Sequence, residues 1–215
     1  MKDFKYFLFD FDGTLADSQL FWSTVYYHIL KERGYPVTEE DYDFCASHFS
    51  PERKAYLCEK YGIKEENFPT RPECLERIDL FYRTDVTWKK GAVEFLQTVR
   101  AQGKPTVLFS ATPQPLLAHA VEHLDAARYF DYIVSVSELG IGKGDPASYR
   151  HCLDVLQAKP EECVMFEDAP YSMKTAKELG IYTVAVKERC MDFQMDEILC
   201  YCDEYIETIT DWLDA

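Results

Sequence analysis

No run in the sequence approaches the ~20 apolar residues that a membrane-spanning helix needs. No basic run is present either: 23 lysines and arginines are scattered among 38 acidic residues, giving a formal net charge of -15. Counterion release from a nucleic-acid backbone or an anionic membrane requires a positive face, so neither is expected as a partner. Internal repeats and low-complexity tracts are missing, which removes solenoid and disordered readings. A secretory leader is not expected, because the apolar start from Phe4 to Phe11 is too short and carries Lys5 and Asp10. The eight cysteines (45, 58, 74, 152, 163, 190, 200 and 202) then read as reduced thiols of a cytoplasmic protein. The one close pair, Cys200 and Cys202, lacks the second pair or the histidines of a zinc site.

What is present is a globular composition: 215 residues, 47% hydrophobic, 28% charged and 15% aromatic. A chain of this length buries on the order of 70% of the surface it exposes when unfolded, enough for one full core with a modest inserted module. Short apolar runs at Lys5 to Asp10, Pro105 to Ser110, Tyr132 to Val136, Cys163 to Glu167 and Tyr182 to Val186 read as buried strands. Helical spacing joins most of them. Gly91 to Gln102 stops at Gly103, and Pro170 to Leu179 closes on Gly180. This alternation predicts an α/β fold with a doubly wound, mostly parallel sheet. The interval of roughly ninety residues between the first two strands exceeds one crossover helix. It carries helical patterns at about Ser18 to Arg33, Pro51 to Tyr61 and Arg71 to Tyr82, with no strand signal. We therefore expect a core of residues 1–16 and 88–215 with an all-helical module, 17–87, inserted after the first strand. The acidic tail from Asp203 reads as a short last strand and a terminal helix.

Ligands of doubly wound sheets bind beyond the carboxyl ends of the strands, and the residues there are polar. The first strand ends in Asp10-Phe11-Asp12-Gly13-Thr14, the second in Ser110-Ala111-Thr112, and the fourth in Glu167-Asp168; Gly142-Lys143-Gly144-Asp145-Pro146 precedes a helix. Two residues of extended chain span about 6.6 Å with side chains on one face, so Asp10 and Asp12 point to one region. Two like charges 4 Å apart repel by about 4 kcal/mol at an effective dielectric of 20, which demands a cation or a shifted pKa. Glu167-Asp168 brings more carboxylates, and oxygen ligands of this kind suit Mg2+. Each group also has a plain structural use: aspartates cap turns, serines cap helices, and lysines in glycine loops are commonly solvated. The Lys143 loop lacks the Ser or Thr of a P-loop and the G-x-G-x-x-G spacing, so neither nucleotide motif is present.

Taken in order, DFDGT at Asp10, Ser110, Lys143 before Asp145-Pro146, and FED at Glu167-Asp168 resemble the four motifs of the haloacid dehalogenase superfamily. The helical insert resembles the small cap of its phosphoglycolate phosphatase and β-phosphoglucomutase branch. That resemblance implies phosphoryl transfer through a phosphoaspartate, with Asp10 as nucleophile and Asp12 as general acid and base. It implies Mg2+ held by Asp10, the backbone carbonyl of Asp12 and Asp168, with Glu167 behind them or reaching the ion through water. Ser110, Ala111 and Lys143 would grip the phosphoryl oxygens. Arg53 and Lys54, on the insert, are candidates to reach the rest of a substrate. Gly144, Ala169, Ser172 and Lys90 depart from common family residues without removing a catalytic group. The expected function is a Mg2+-dependent phosphatase of a small phosphorylated metabolite, acting as a monomer or weak homodimer. The competing expectations are a phosphomutase and a noncatalytic binding or regulatory protein with the same fold.

Overall fold

In the computed structural model, which describes residues 2–213, the chain opens with β1 (Tyr6–Phe9) and runs through α1 (Gln19–Glu32), α2 (Glu39–Ala46), α3 (Ser50–Tyr61) and α4 (Arg71–Thr84). It then alternates: α5 (Ala92–Ala101), β2 (Thr106–Ser110), α6 (Gln114–His123), β3 (Tyr132–Ser135), α7 (Pro146–Leu156), β4 (Cys163–Glu167), α8 (Pro170–Glu178), β5 (Tyr182–Val186), α9 (Met195–Tyr201) and β6 (Glu204–Ile206). The six strands form one sheet in the order β3-β2-β1-β4-β5-β6, and every pairing is parallel.

Side chains alternate across this sheet, and both faces are dry. Phe7, Phe9, Leu108, Val164, Phe166 and Val184 belong to one buried layer, packed against α5 and α6. Leu8, Val107, Phe109 and Met165 belong to the other, where α7 supplies Tyr149, Cys152, Leu153 and Leu156. Aromatic rings fill the first layer: Phe9 stacks on Phe166 with centroids 5.1 Å apart, while Phe95 and Trp212 meet Phe166 edge-on at 5.1 and 5.2 Å. Contacts of this geometry add about 0.5–1.5 kcal/mol each beyond the area they bury.

Helices α1 to α4 fill the long interval after β1. They enclose a small apolar cluster of Tyr27, Leu30, Cys45, Leu57, Ile63 and Phe68. Val25, Ile29, Cys74, Ile78 and Tyr82, from α1 and α4, belong instead to the layer beside the sheet. Where the chain leaves and re-enters the sheet region its two passes are side by side: the Asp17 amide donates to the Thr87 carbonyl at 2.9 Å and the Lys89 amide to the Leu15 carbonyl at 2.8 Å.

The sequence pattern differs from the structure in three places. Helix α2, Glu-Glu-Asp-Tyr-Asp-Phe-Cys-Ala, has too few apolar residues to show a helical period; Thr38 and Asp41 form its capping box. Helix α9 is only seven residues long and gave no periodic signal. The expected terminal helix is a short 3-10 turn, Ile209–Leu213, whose start is fixed by the Thr208 amide donating to Asp211 at 2.8 Å. Five residues are too few for a stable α-helix, and burial of Ile209 and Trp212 holds the turn in place.

Asp41 is wholly buried, yet it accepts hydrogen bonds from the Thr38 amide and hydroxyl and from Tyr56, Lys60 and Tyr61. Burial pushes its pKa up, but these donors together outweigh burial and hold the carboxyl far below the usual carboxylate range. Asp41→Asn is expected to cost about 2–3 kcal/mol in urea unfolding at pH 7. Because the folded pKa is the lowered one, this contribution is complete above about pH 4 and fades as pH falls towards the folded value. The gap between wild type and variant should therefore narrow at pH 3.

Candidate active site

Strands β1 and β4 are neighbours at the centre of the sheet, and Phe9 pairs with Phe166, so the residues that follow emerge side by side. The Asp10 amide donates to the Phe166 carbonyl at 2.9 Å, which locks the two strand ends together. The winding of the chain also reverses between these strands, as it does at ligand sites of doubly wound sheets. Here Asp10, Glu167 and Asp168, all buried, bring one carboxylate oxygen each to within 4.8 Å of one another. Lys143, in the loop before α7, is also buried. Its ammonium donates to Asp10 Oδ1 and stands 3.4 Å from both Glu167 oxygens.

One ammonium cannot balance three carboxylates. Burial raises the pKa of Asp10, Glu167 and Asp168, and the charge of Asp10 raises the other two further. Burial alone would lower the lysine pKa, but Asp10 and Glu167 hold it well above its ordinary value. Asp168 Oδ2 is a buried oxygen with no hydrogen-bond partner among the described residues. Gly13 faces that same atom with φ +87°, and a Cβ there would lie 2.3 Å from it. An orphaned carboxylate oxygen in an excess of negative charge, with glycine leaving the approach clear, is what a hard divalent cation requires. The donor set therefore fits such an ion.

Asp12 is held from three directions. The Ser18 hydroxyl donates to Oδ1 at 2.6 Å, the Thr112 hydroxyl to Oδ2 at 2.6 Å, and the Tyr82 phenol to Oδ1. Asp10, Asp12, Glu167 and Asp168 line a cavity of about 450 Å³ that reaches from the sheet to helices α1, α3 and α4. Ala111 and Thr112 also line it. Ser110 does not: it is fully buried, and its oxygen accepts the Thr112 amide proton at 3.0 Å, so this strand end presents its next two residues instead. Lys143 is buried against Asp10 and does not itself line the cavity. Arg53 lines the cavity and is anchored through Nη2 to Ser23 Oγ at 3.1 Å. Lys54 does not line it. One turn of helix faces several directions at once, and the Lys54 ammonium pairs with Glu65 at 2.6 Å. Among the described residues no helix is long and apolar enough to cross a membrane.

A family model described as "Haloacid dehalogenase-like hydrolase" matches residues 7–186, spanning β1 to β5 and every residue above. The chain belongs to this family. A phosphorylated carbohydrates phosphatase of Thermotoga maritima is 30% identical over 178 residues, covering 81% of each chain. Hexitol phosphatase A of Escherichia coli is 24% identical, covering 90% of this chain and 88% of its own. A solved structure of a hydrolase of the family from Deinococcus radiodurans, with bound phosphate and sodium, shares the fold with a TM-score of 0.78 at 23% identity, covering 98% of this chain and 93% of that one. Structures of the phosphoglycolate phosphatase and β-phosphoglucomutase branch share it too. The protein is thus an enzyme of the phosphoric monoester hydrolase type.

Several residues that build the hydrolase's site escaped the sequence reading. Tyr82 and Trp22 occupy apolar positions of amphipathic helices, and nothing in that spacing distinguishes packing from hydrogen bonding. Arg71, at the start of α4, lines the cavity but follows a threonine cap that reads simply as a helix start. Tyr171 also lines the cavity, from the first turn of α8.

A divalent cation added to the purified hydrolase should raise its melting temperature. Asp168→Asn, which removes a charge, and Gly13→Ala, which sets a methyl group against Asp168, should each abolish that rise. Gly13→Ala should also cost about 1–2 kcal/mol through its left-handed backbone. Differential scanning fluorimetry with and without metal separates the two effects.

Proposed function

We propose that the protein hydrolyses the phosphate monoester of a small metabolite through a phosphoaspartate on Asp10, with Mg2+ held by Asp10, Asp168 and the Asp12 backbone carbonyl and with Glu167 behind them. The observation that carries this reading is the convergence of Asp10, Glu167 and Asp168 around an unpartnered Asp168 oxygen, with Asp12 lining the same cavity. When bound, the ion would supply positive charge against the phosphoryl oxygens.

The Asp10 carboxylate attacks phosphorus in line, the bond to the ester oxygen breaks, and Asp12 gives its proton to that oxygen. A water molecule then attacks the phosphoaspartate, Asp12 takes the proton back, and the Asp10 oxygen leaves as a carboxylate. Lys143 fixes the rotamer of Asp10 and supplies a positive charge beside the transferred group. Ser110 holds the Thr112 amide, and Ala111 and Thr112 supply the edge against which phosphate oxygens rest. With a divalent cation and Lys143 set against Asp10, Glu167 and Asp168, the site is close to neutral, so a dianion enters an otherwise acidic protein. Residues 17–87 act as a cap over a core of 1–16 and 88–215, excluding water while the phosphoaspartate forms. The proposal includes a cytoplasmic setting, in keeping with eight free cysteines.

A second reading, phosphomutase action, draws support from Arg53 and Arg71, which line the cavity from the cap and have no carboxylate partner among the described residues. They would hold a second anionic group while the phosphate returns to another hydroxyl.

With Mg2+, a panel of sugar, polyol and other metabolite phosphates should yield inorganic phosphate. Asp10→Asn should reduce release at least about 10³-fold, and so should chelation of the metal. Full activity in metal-free protein would remove the ion from the account. Conversion of a sugar phosphate to its isomer without net phosphate release would replace hydrolysis with the mutase reading.

A further inference from the structure

Tyr82 is fully buried on α4, and its phenol oxygen has two close partners. It donates to Asp12 Oδ1 and accepts from Trp22 Nε1, on α1, at 2.7 Å. A third, longer contact of 3.5 Å joins the phenol oxygen to Thr112 Oγ1. The Tyr82 ring meets Phe11 at a steep angle, with centroids 6.2 Å apart, so the phenol is wedged between the cap helices and the strand-end loop. A phenylalanine would fill the same space. The hydroxyl is the part that packing does not require.

An ionised carboxylate has about four lone-pair positions. Asp12 receives two donors on Oδ1, from Ser18 and Tyr82, and one on Oδ2, from Thr112. One position is left, on Oδ2, and Asp12 lines the cavity. We propose that Tyr82 is a positioning residue for the proton-transferring carboxylate: together with Ser18 and Thr112 it fills three of the four sites on Asp12 and leaves a single one, on Oδ2, to carry the proton that the departing ester oxygen receives. Trp22 holds Tyr82 in this role. The inference rests on the phosphoryl-transfer reading above and adds to it a residue from the cap. The three donors stand on different elements: Ser18 immediately precedes α1, Tyr82 belongs to α4, and Thr112 follows β2. The set is complete only with α1 and α4 seated against the sheet, so a seated cap and a correctly aimed proton become the same condition.

Leaving-group chemistry tests this. Nitrophenolate departs without a proton, whereas the alkoxide of a sugar or polyol does not. For Tyr82→Phe, kcat/KM on the sugar or polyol phosphate that wild type turns over fastest should fall about 10- to 100-fold, while kcat/KM on 4-nitrophenyl phosphate falls less than about 3-fold. Both assays read inorganic phosphate, at one saturating Mg2+ concentration. An equal fall on both substrates, or none on either, overturns the assignment and leaves the phosphatase reading intact. Wild type that releases phosphate from neither overturns the reading itself. If Tyr82→Phe does not fold, judged by circular dichroism and melting, Trp22→Phe takes its place. It keeps the Tyr82 to Asp12 bond and removes the one that orients it, so a selective loss of about 3-fold on the sugar or polyol ester is expected, and an equal change on both substrates overturns the assignment.

Discussion

Three carboxylates and one ammonium share the buried ground between the ends of β1 and β4, and most of the structure around them follows from that imbalance. Charges so close in a poorly solvated site repel unless positive charge is supplied. Lys143 supplies part of it and is pinned to Asp10. What remains is excess negative charge centred on an Asp168 oxygen that has no hydrogen-bond partner among the described residues. A fold under no functional demand would place apolar residues at these strand ends, at a gain in stability. The β1 and β4 pairing, the bare backbone of Gly13 and the lysine loop all serve to hold these groups together.

The same imbalance reconciles an acidic protein with an anionic substrate. At the bottom of the cavity the local charge is set by Asp10, Glu167, Asp168 and Lys143, and a divalent cation there would bring it close to neutral. Higher up, the cap contributes Arg53 and Arg71 to the wall, two cations without acidic partners among the described residues. The cavity is thus acidic at its floor, where an ion would sit, and basic on its cap side, where the remainder of a substrate would meet it.

Much of this was legible in the sequence because the chemistry is concentrated at strand ends. An apolar run followed by Asp-x-Asp-Gly, or by Glu-Asp, declares both the element and the group it carries, and strand alternation declares the parallel sheet. Lys143, whose glycine neighbours alone suit a solvated lysine equally well, was singled out only by its place among the four motifs of the family resemblance. Other parts depend on distance in space that spacing along the chain does not encode. Tyr82 and Asp12 are seventy residues apart and meet only through packing of α4 against the strand-end loop. The Ser110 oxygen accepts the Thr112 amide proton and Thr112 in turn donates to Asp12, a link between two strand ends that spacing along the chain does not announce. Lys54 follows Arg53 by one residue, but a helix rotates successive side chains by about 100°, which separates a cavity-lining cation from one paired with Glu65. Helix α2 was hidden for a different reason: its stability lies in a capping box and in the buried Asp41 network rather than in an apolar stripe.

The claim on which the account turns is that a divalent ion belongs among Asp10, Glu167 and Asp168. Crystals grown with Mn2+, an oxygen-seeking stand-in for Mg2+, and measured at the manganese absorption edge would test it directly. The account predicts one strong anomalous peak within coordinating distance of Asp10 and Asp168, beside Lys143 and above the sheet. A fully occupied manganese site elsewhere, with these carboxylates left in contact only with one another and with Lys143, would contradict it.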